Sequence, residues 1–239
     1  MNIEGKMKSL KSIAVALCAA VVLVGCNMNN TVKGTAIGAG GGAALGAVIG
    51  AIAGNAGIGA AIGTAVGAGT GAIIGHKMDK AKKEAEAIEN AQVEEVTDAN
   101  GLEAVKMTFD SGILFKTGKS DLTSASKSSL QQLAGVLKNN PDCDVAIQGY
   151  TDNQGWKNST AEQSAQKNQE LSLDRASAVS EYLLKLAVPA TQIKSVEGFG
   201  EANPVASNAT KAGQEQNRRV EVYMYASQKM IQEAQQQAQ

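Results

Sequence analysis

The sequence predicts an α+β fold: a sandwich in the C-terminal half, in the order β-α-β-α-β-β, preceded by a helical hairpin with glycine at every fourth position. Three observations carry this. Apolar residues switch between a period of 2 and a helical spacing along residues 101–226. Glycine is unevenly spread, with 15 of the 26 falling between Gly34 and Gly75. Aromatic residues gather at the other end, where seven of the eight lie beyond residue 110. A core built on large side chains therefore belongs to the C-terminal half.

The chain opens with Lys6, Lys8 and Lys11, followed by an apolar run of thirteen residues from Ser12 to Val24. That length suits a secretory signal and is too short to span a bilayer with ease. The run ends in Leu23-Val24-Gly25-Cys26, which resembles the bacterial lipobox. The resemblance implies a signal peptide at residues 1–25, acylation of Cys26, and a lipidated tether at residues 26–33. Translation can begin at Met1 or at Met7 with the same signal. Several acyl chains anchor a protein stably, since each buried CH₂ contributes roughly 0.8 kcal/mol. Cys18 leaves with the signal, so Cys143 remains alone and the mature chain has no intramolecular disulfide. Asn27 follows the cysteine, with no Asp there. By resemblance to bacterial lipoprotein sorting, this places the chain in the outer membrane, lipid-anchored, with its folded domain facing the periplasm.

Glycine then recurs at 34, 38, 42, 46, 50 and 54, and after a break at 59, 63, 67, 71 and 75. No charged residue lies between Gly34 and Gly75. Each half is about 20 residues, roughly 30 Å as a helix and close to a hydrocarbon core. Small residues four apart let two helix backbones approach, and the stripe drifts about 40° per step, which favours a right-handed crossing. Residues 34–75 are thus expected to form a glycine-zipper helical hairpin that meets membrane lipid or associates as a homo-oligomer. Glycine is a poor helix former in water, at about 1 kcal/mol per residue, so partners are needed. Residues 76–100 follow as a charged helical spacer, with Lys80/Glu84 and Lys82/Glu86 as i, i+4 pairs. His76 is read as a polar residue at its start.

In the C-terminal domain, residues 101–226, Val105, Met107 and Phe109 alternate, and Ile113-Leu114-Phe115 continue the first strand. Leu122, Leu130, Leu133, Ala134 and Leu137 mark the first helix, which Asn139-Asn140-Pro141 ends. Val145, Ile147 and Gly149 give the second strand. Ser172 is the expected cap of a helix carrying Ala176, Val179, Leu183 and Leu186, stopped by Val188-Pro189. Strands at 193–199 and 220–224 complete the order. The Gln-rich residues 227–239 are expected to be a polar tail.

The chemistry of the chain lies in Gly149-Tyr150-Thr151-Asp152 and in Arg175, 23 residues after Asp152. An Asp and an Arg that converge can hold a ligand bearing both an ammonium and a carboxylate. The alternative is that the two pair with each other. A formal net charge of -1 gives no electrostatic reason to expect nucleic acid. One histidine and no His/Cys/carboxylate cluster argue against an enzyme, a metal site or a cofactor. Asp121, Asp142 and Asp144 suit helix starts and loops, and Arg219 and Glu221 suit a solvated strand face.

Four motifs occur in order: Gly149-Tyr-Thr-Asp152, Asn168-x-x-Leu171-Ser172-x-x-Arg175-Ala176, Gly198-Phe-Gly200-Glu-x-x-Pro204, and Asn217-Arg-Arg-Val-Glu221. Together they resemble the OmpA-like C-terminal domain, over about half of the chain. A glycine ladder followed by such a domain resembles the YiaD-type outer-membrane lipoproteins. The resemblance implies non-covalent binding of peptidoglycan through the diaminopimelate of its stem peptide, and a tether between outer membrane and cell wall. It makes Asp152 the partner of the ammonium and Arg175 the partner of the carboxylate, with Thr151, Asn168, Asn217 and Arg218 adding hydrogen bonds. Arg175 is expected in the first turn of its helix, where free N–H groups favour an anion. Two departures stand out. The family sets the Thr-Asp motif and the helix arginine closer together, and an insertion at residues 156–166 accounts for the excess as a lid or a polar loop. Trp156, the one Trp, either touches ligand or packs that insertion. Lys116 stands where many members carry an Asp. A second function remains open at this point: a membrane-active, oligomerising zipper with a regulatory wall-binding domain.

Overall fold

The computed structural model describes residues 67–98 and 101–239. The signal segment, Cys26, the tether and most of the glycine ladder lie outside the described residues. The elements are α1 (Ala68–Ala85), β1 (Ala91–Thr97), β2 (Glu103–Asp110), α2 (Ser111–Leu114), α3 (Ser124–Asn139), β3 (Cys143–Gly149), α4 (Ala161–Lys185), β4 (Ile193–Gly198), α5 (Lys211–Asn217), β5 (Arg219–Ala226) and α6 (Gln228–Gln237). Five strands form one sheet in the order β1-β2-β5-β3-β4. Only β3 and β4 are parallel, and α4 supplies the crossover that a parallel pair requires. The expected β-α-β-α-β-β order is present as β2-α3-β3-α4-β4-β5.

The alternation read from the sequence places one set of side chains on the main core. Val105, Met107 and Phe109 of β2 share it with Val145 and Ile147 of β3 and Val220, Val222 and Met224 of β5. Leu130, Leu133, Ala134 and Leu137 of α3 and Ala176, Val179 and Leu183 of α4 close over them. β5 lies centrally and is buried along its whole length. Ala104, Ala146, Tyr223 and Tyr225 gather in a second, smaller cluster with Phe199.

Arg219 and Glu221 do not solvate a strand face, as expected from the sequence. They form a buried ion pair, with Nε of Arg219 2.7 Å from Oε1 of Glu221. The guanidinium lies 3.8 Å from the centre of the Tyr150 ring, and the Tyr223 hydroxyl donates to Glu221 Oε2 at 2.6 Å. Buried charge persists only where such partners replace water.

Residues 76–100 are no free spacer. α1 begins inside the glycine ladder and buries Ile74, Met78, Ala81 and Ala85 in the core. Of the two charged pairs, Lys80 and Glu84 lie 3.8 Å apart, while Lys82 pairs with Glu95 of the next strand at 3.1 Å instead of Glu86. After a turn with Asn90 at φ 61°, the chain adds β1 antiparallel to β2. The last rungs of the ladder therefore belong to the folded domain. A Cβ at Gly75 would press on the Glu103 carboxylate, at 2.8 Å. Among the described residues, no helix is long and apolar enough to cross a membrane.

Two further expectations change. Ile113-Leu114-Phe115 does not extend the first strand, because the Asp110 side chain accepts from the Gly112 N–H and caps the one-turn helix α2. Residues 227–239 are not a polar tail either. Ser227 caps α6, which buries Met230, Ile231 and Ala234, one face of a helix among glutamines.

Candidate binding pocket

The second helix begins eleven residues earlier than its expected cap, Ser172. Thr160 and Gln163 form a capping box, each side chain bonding the other's backbone N–H. Residues 161–166 of the insertion are thus helix, while residues 156–160 stay a loop whose Trp156 and Lys157 line the pocket. Ser172 has a different task. Its Oγ donates to Gln169 O at 2.7 Å and accepts from the Gly200 N–H at 2.9 Å. Here α4 presses on the sheet so closely that a Cβ on Gly149 would overlap the Ser172 carbonyl, and one on Gly198 would overlap the Leu173 nitrogen. Those two glycines set the height of α4, and with it the position of Arg175.

Beyond the end of β3, the Tyr150 N–H donates to Arg219 O at 2.9 Å and the Thr151 N–H to Gly200 O at 2.7 Å. These bonds extend the ladder and hold Thr151-Asp152 at the floor of a pocket of about 400 Å³. Asp152, Thr151, Asn168, Arg175 and Arg218 all line it. So do Phe115, Trp156 and the Thr117-Gly118 turn.

Asp152 pairs with Arg218 Nη1, and its Oδ1 accepts from the Gln154 N–H at 3.2 Å. No ion pair joins Asp152 to Arg175. Arg175 lies in mid-helix, not in the first turn, and is 3% exposed. Its Nε donates to Lys119 O at 3.1 Å, its guanidinium sits 5.3 Å from the Phe115 ring centre, and its buried Nη1 has no partner. Burial pushes its pKa down to about 10; the nearby Arg218 charge adds to this, while Asp152 opposes it. Thr151 Oγ1 is likewise buried and unpartnered. The pocket thus brings together one carboxylate and two guanidiniums, with two unfilled buried groups on the residues that line it, a set suited to a ligand with both ammonium and carboxylate.

Asn168 holds the pocket wall. Its amide donates to Gln154 O at 3.3 Å and to Asp152 O at 3.5 Å, and its Oδ1 accepts from Trp156 Nε1–H at 2.8 Å. Trp156 therefore both lines the pocket and packs on α4. Asn217 does not line it. Its Oδ1 accepts from the Val205 and Ala206 N–H groups and its Nδ2 donates to Ala206 O, so it ties down the loop before α5. Lys116 is also outside the lining, while the turn just after it contributes. That turn and the Lys119 carbonyl had no signal in the sequence, since a backbone contact leaves no residue preference behind. The pocket lining contains no histidine or cysteine. Cys143 sits elsewhere, buried, its thiol pushed up to about 12 by desolvation and then by Asp142 and Asp144.

Comparison with known proteins agrees with this architecture. Residues 114–218 match the model of the OmpA family, and residues 7–79 match that of the YMGG-like Gly-zipper. "Probable lipoprotein YiaD" of Escherichia coli is 35% identical over 116 residues, 48% of this chain and 49% of that protein. "Peptidoglycan-binding protein ArfA" of Mycobacterium tuberculosis is 39% identical over 119 residues, 50% of this chain and 34% of that protein. The chain thus spans about half, or less, of the length of these relatives. A crystal structure of a MotB like protein from Desulfovibrio vulgaris superposes with a TM-score of 0.55 at 20% identity, over 66% of this chain and 96% of that one; it shares the fold. Most of the pocket lining thus falls in residues 114–218, the stretch that matches the OmpA family, and the segment before it in sequence matches the YMGG-like Gly-zipper.

Proposed function

We propose that this chain binds peptidoglycan non-covalently and tethers it to the outer membrane, in which acylated Cys26 is anchored. The carrying observation is the juxtaposition of Asp152 with two guanidiniums in one pocket, where Arg175 keeps a buried, unpartnered Nη1. The stem-peptide diaminopimelate offers a matching ammonium and carboxylate. Its carboxylate would take the Arg175 fork, and its ammonium would share Asp152 with Arg218. A planar guanidinium binds carboxylate in two parallel bonds, which an ammonium side chain cannot do. Thr151 Oγ1 adds a further hydrogen bond, while Asn168 holds the wall around it and Asn217 ties down the loop before α5. Similarity to a peptidoglycan-binding protein points the same way.

The test is a pull-down of the protein with purified sacculi containing diaminopimelate, beside sacculi that carry lysine at that position. Binding is expected to the first and to fall at least tenfold on the second, because lysine lacks the second carboxylate. Asp152→Ala combined with Arg175→Ala is expected to abolish retention. Retention of the double variant at the wild-type level would place the site elsewhere.

A further inference from the structure

The pocket carries more positive charge than one zwitterionic residue can use. Lys157, Arg175 and Arg218 line it against the carboxylate of Asp152, and Glu215 stands 4.0 Å from Arg218 outside the lining. A diaminopimelate end group brings one charge of each sign and leaves one cation in excess, and Lys157 is the one then left without a carboxylate partner among the described residues. The excess has a place. Lys157 adjoins Trp156 at one side of the pocket, on the segment that leads into the helical insertion.

That segment is held firmly. The Trp156 backbone N–H donates to Ser164 Oγ at 3.0 Å and its indole N–H to Asn168 Oδ1 at 2.8 Å, both acceptors on α4. Lys167 lies 5.9 Å from the ring centre and is itself bonded to Ser159 Oγ at 2.9 Å. With its N–H already used, the half-buried indole offers only carbon to the pocket. Carbon of that kind attracts methyl and methylene groups, and the exposed ammonium beside it attracts an anion.

We propose that Trp156 and Lys157 form a second subsite, which takes the free carboxylate and adjoining methylenes of the acidic residue preceding diaminopimelate in the same peptide. This rests on the peptidoglycan reading above and sharpens it. The chain would then distinguish an acidic peptide from its amidated form, a distinction that Asp152 and Arg175 alone do not make.

Trp156 is the only Trp in the chain, so its emission reports on this subsite directly. The experiment titrates the full chain with three probes: free diaminopimelate, γ-D-glutamyl-diaminopimelate, and that dipeptide with its glutamyl α-carboxylate converted to a carboxamide. The acidic dipeptide is expected to shift Trp156 emission and to bind about three- to fivefold tighter than its amide, the range of an exposed ion pair. Lys157→Gln is expected to erase that difference, so that the acidic and amidated dipeptides bind the variant equally. Equal affinities for the acidic and amidated dipeptides would overturn the subsite while leaving the main pocket intact. Failure of free diaminopimelate to bind the wild-type chain would overturn both.

Discussion

Arg175 brings a positive charge to a position that is 3% exposed and leaves part of its guanidinium unpaired. Such an arrangement costs stability and is characteristic of a site kept for binding. Its folded pKa, about 10, lies below the ordinary 12.5. The penalty is therefore fully present at neutral pH and is relieved only as pH rises through that interval. Arg175→Met, which keeps the length and removes the charge, is expected to stabilise the fold by about 1–3 kcal/mol in urea denaturation at pH 7. Retention on sacculi should fall at least tenfold in the same variant. A lower urea midpoint than wild type would mean that Arg175 serves the fold instead. At this scale Asp152 and Arg175 were legible in the sequence because each sits in a recognisable motif. The partner of Asp152 was not: Arg218 reaches it from 66 residues away, and Asn217, its neighbour, turns to the loop on the other side.

The element that decides the site is α4. The insertion that separates Asp152 from Arg175 is absorbed largely as helix, and residues 161–168 alone add about two turns, roughly 12 Å. Turns added at the N-terminal end leave the rest of the helix in place, so Arg175 keeps its height over the sheet. That height rests on Gly149 and Gly198, where side chains are excluded by the α4 backbone. Gly198→Ala is expected to destabilise the domain by about 3 kcal/mol or more, since backbone must move. Gly135→Ala on α3 meets nothing within 4 Å and is expected to stabilise by about 0.5–1 kcal/mol through helix propensity alone. Urea midpoints of the two variants check both signs; similar values would show that the α4 contact is not tight. The helix itself was visible in the sequence through its apolar spacing, but its start was misplaced. Ser172 has the chemistry of a cap, and only the competing Thr160/Gln163 box, with its cap twelve residues earlier, shows that the helix is already under way.

At the scale of the whole molecule, ladder and domain overlap in α1, which holds the last rungs and packs on the core. Removing residues 34–66 is expected to leave sacculus binding and the urea midpoint close to wild type. Removing residues 34–85 takes Ile74, Met78, Ala81 and Ala85 out of the core and should unfold the domain or lower its stability by several kcal/mol. Loss of wall binding in the shorter deletion, with the fold intact, would favour the zipper as the active part.

The sequence by itself determined the sheet-and-helix order of the domain, its core residues and the residue types of its pocket. Periodicity and short motifs are local properties, so they survive without coordinates. Tertiary structure decided what depends on distant partners. It drew α1, β1 and α6 into the domain by burying their apolar faces. It gave Asp152 to Arg218, buried the Arg219–Glu221 pair, and set Trp156 against α4. The energies of these contacts exist only once the chain has removed water from between the groups that meet.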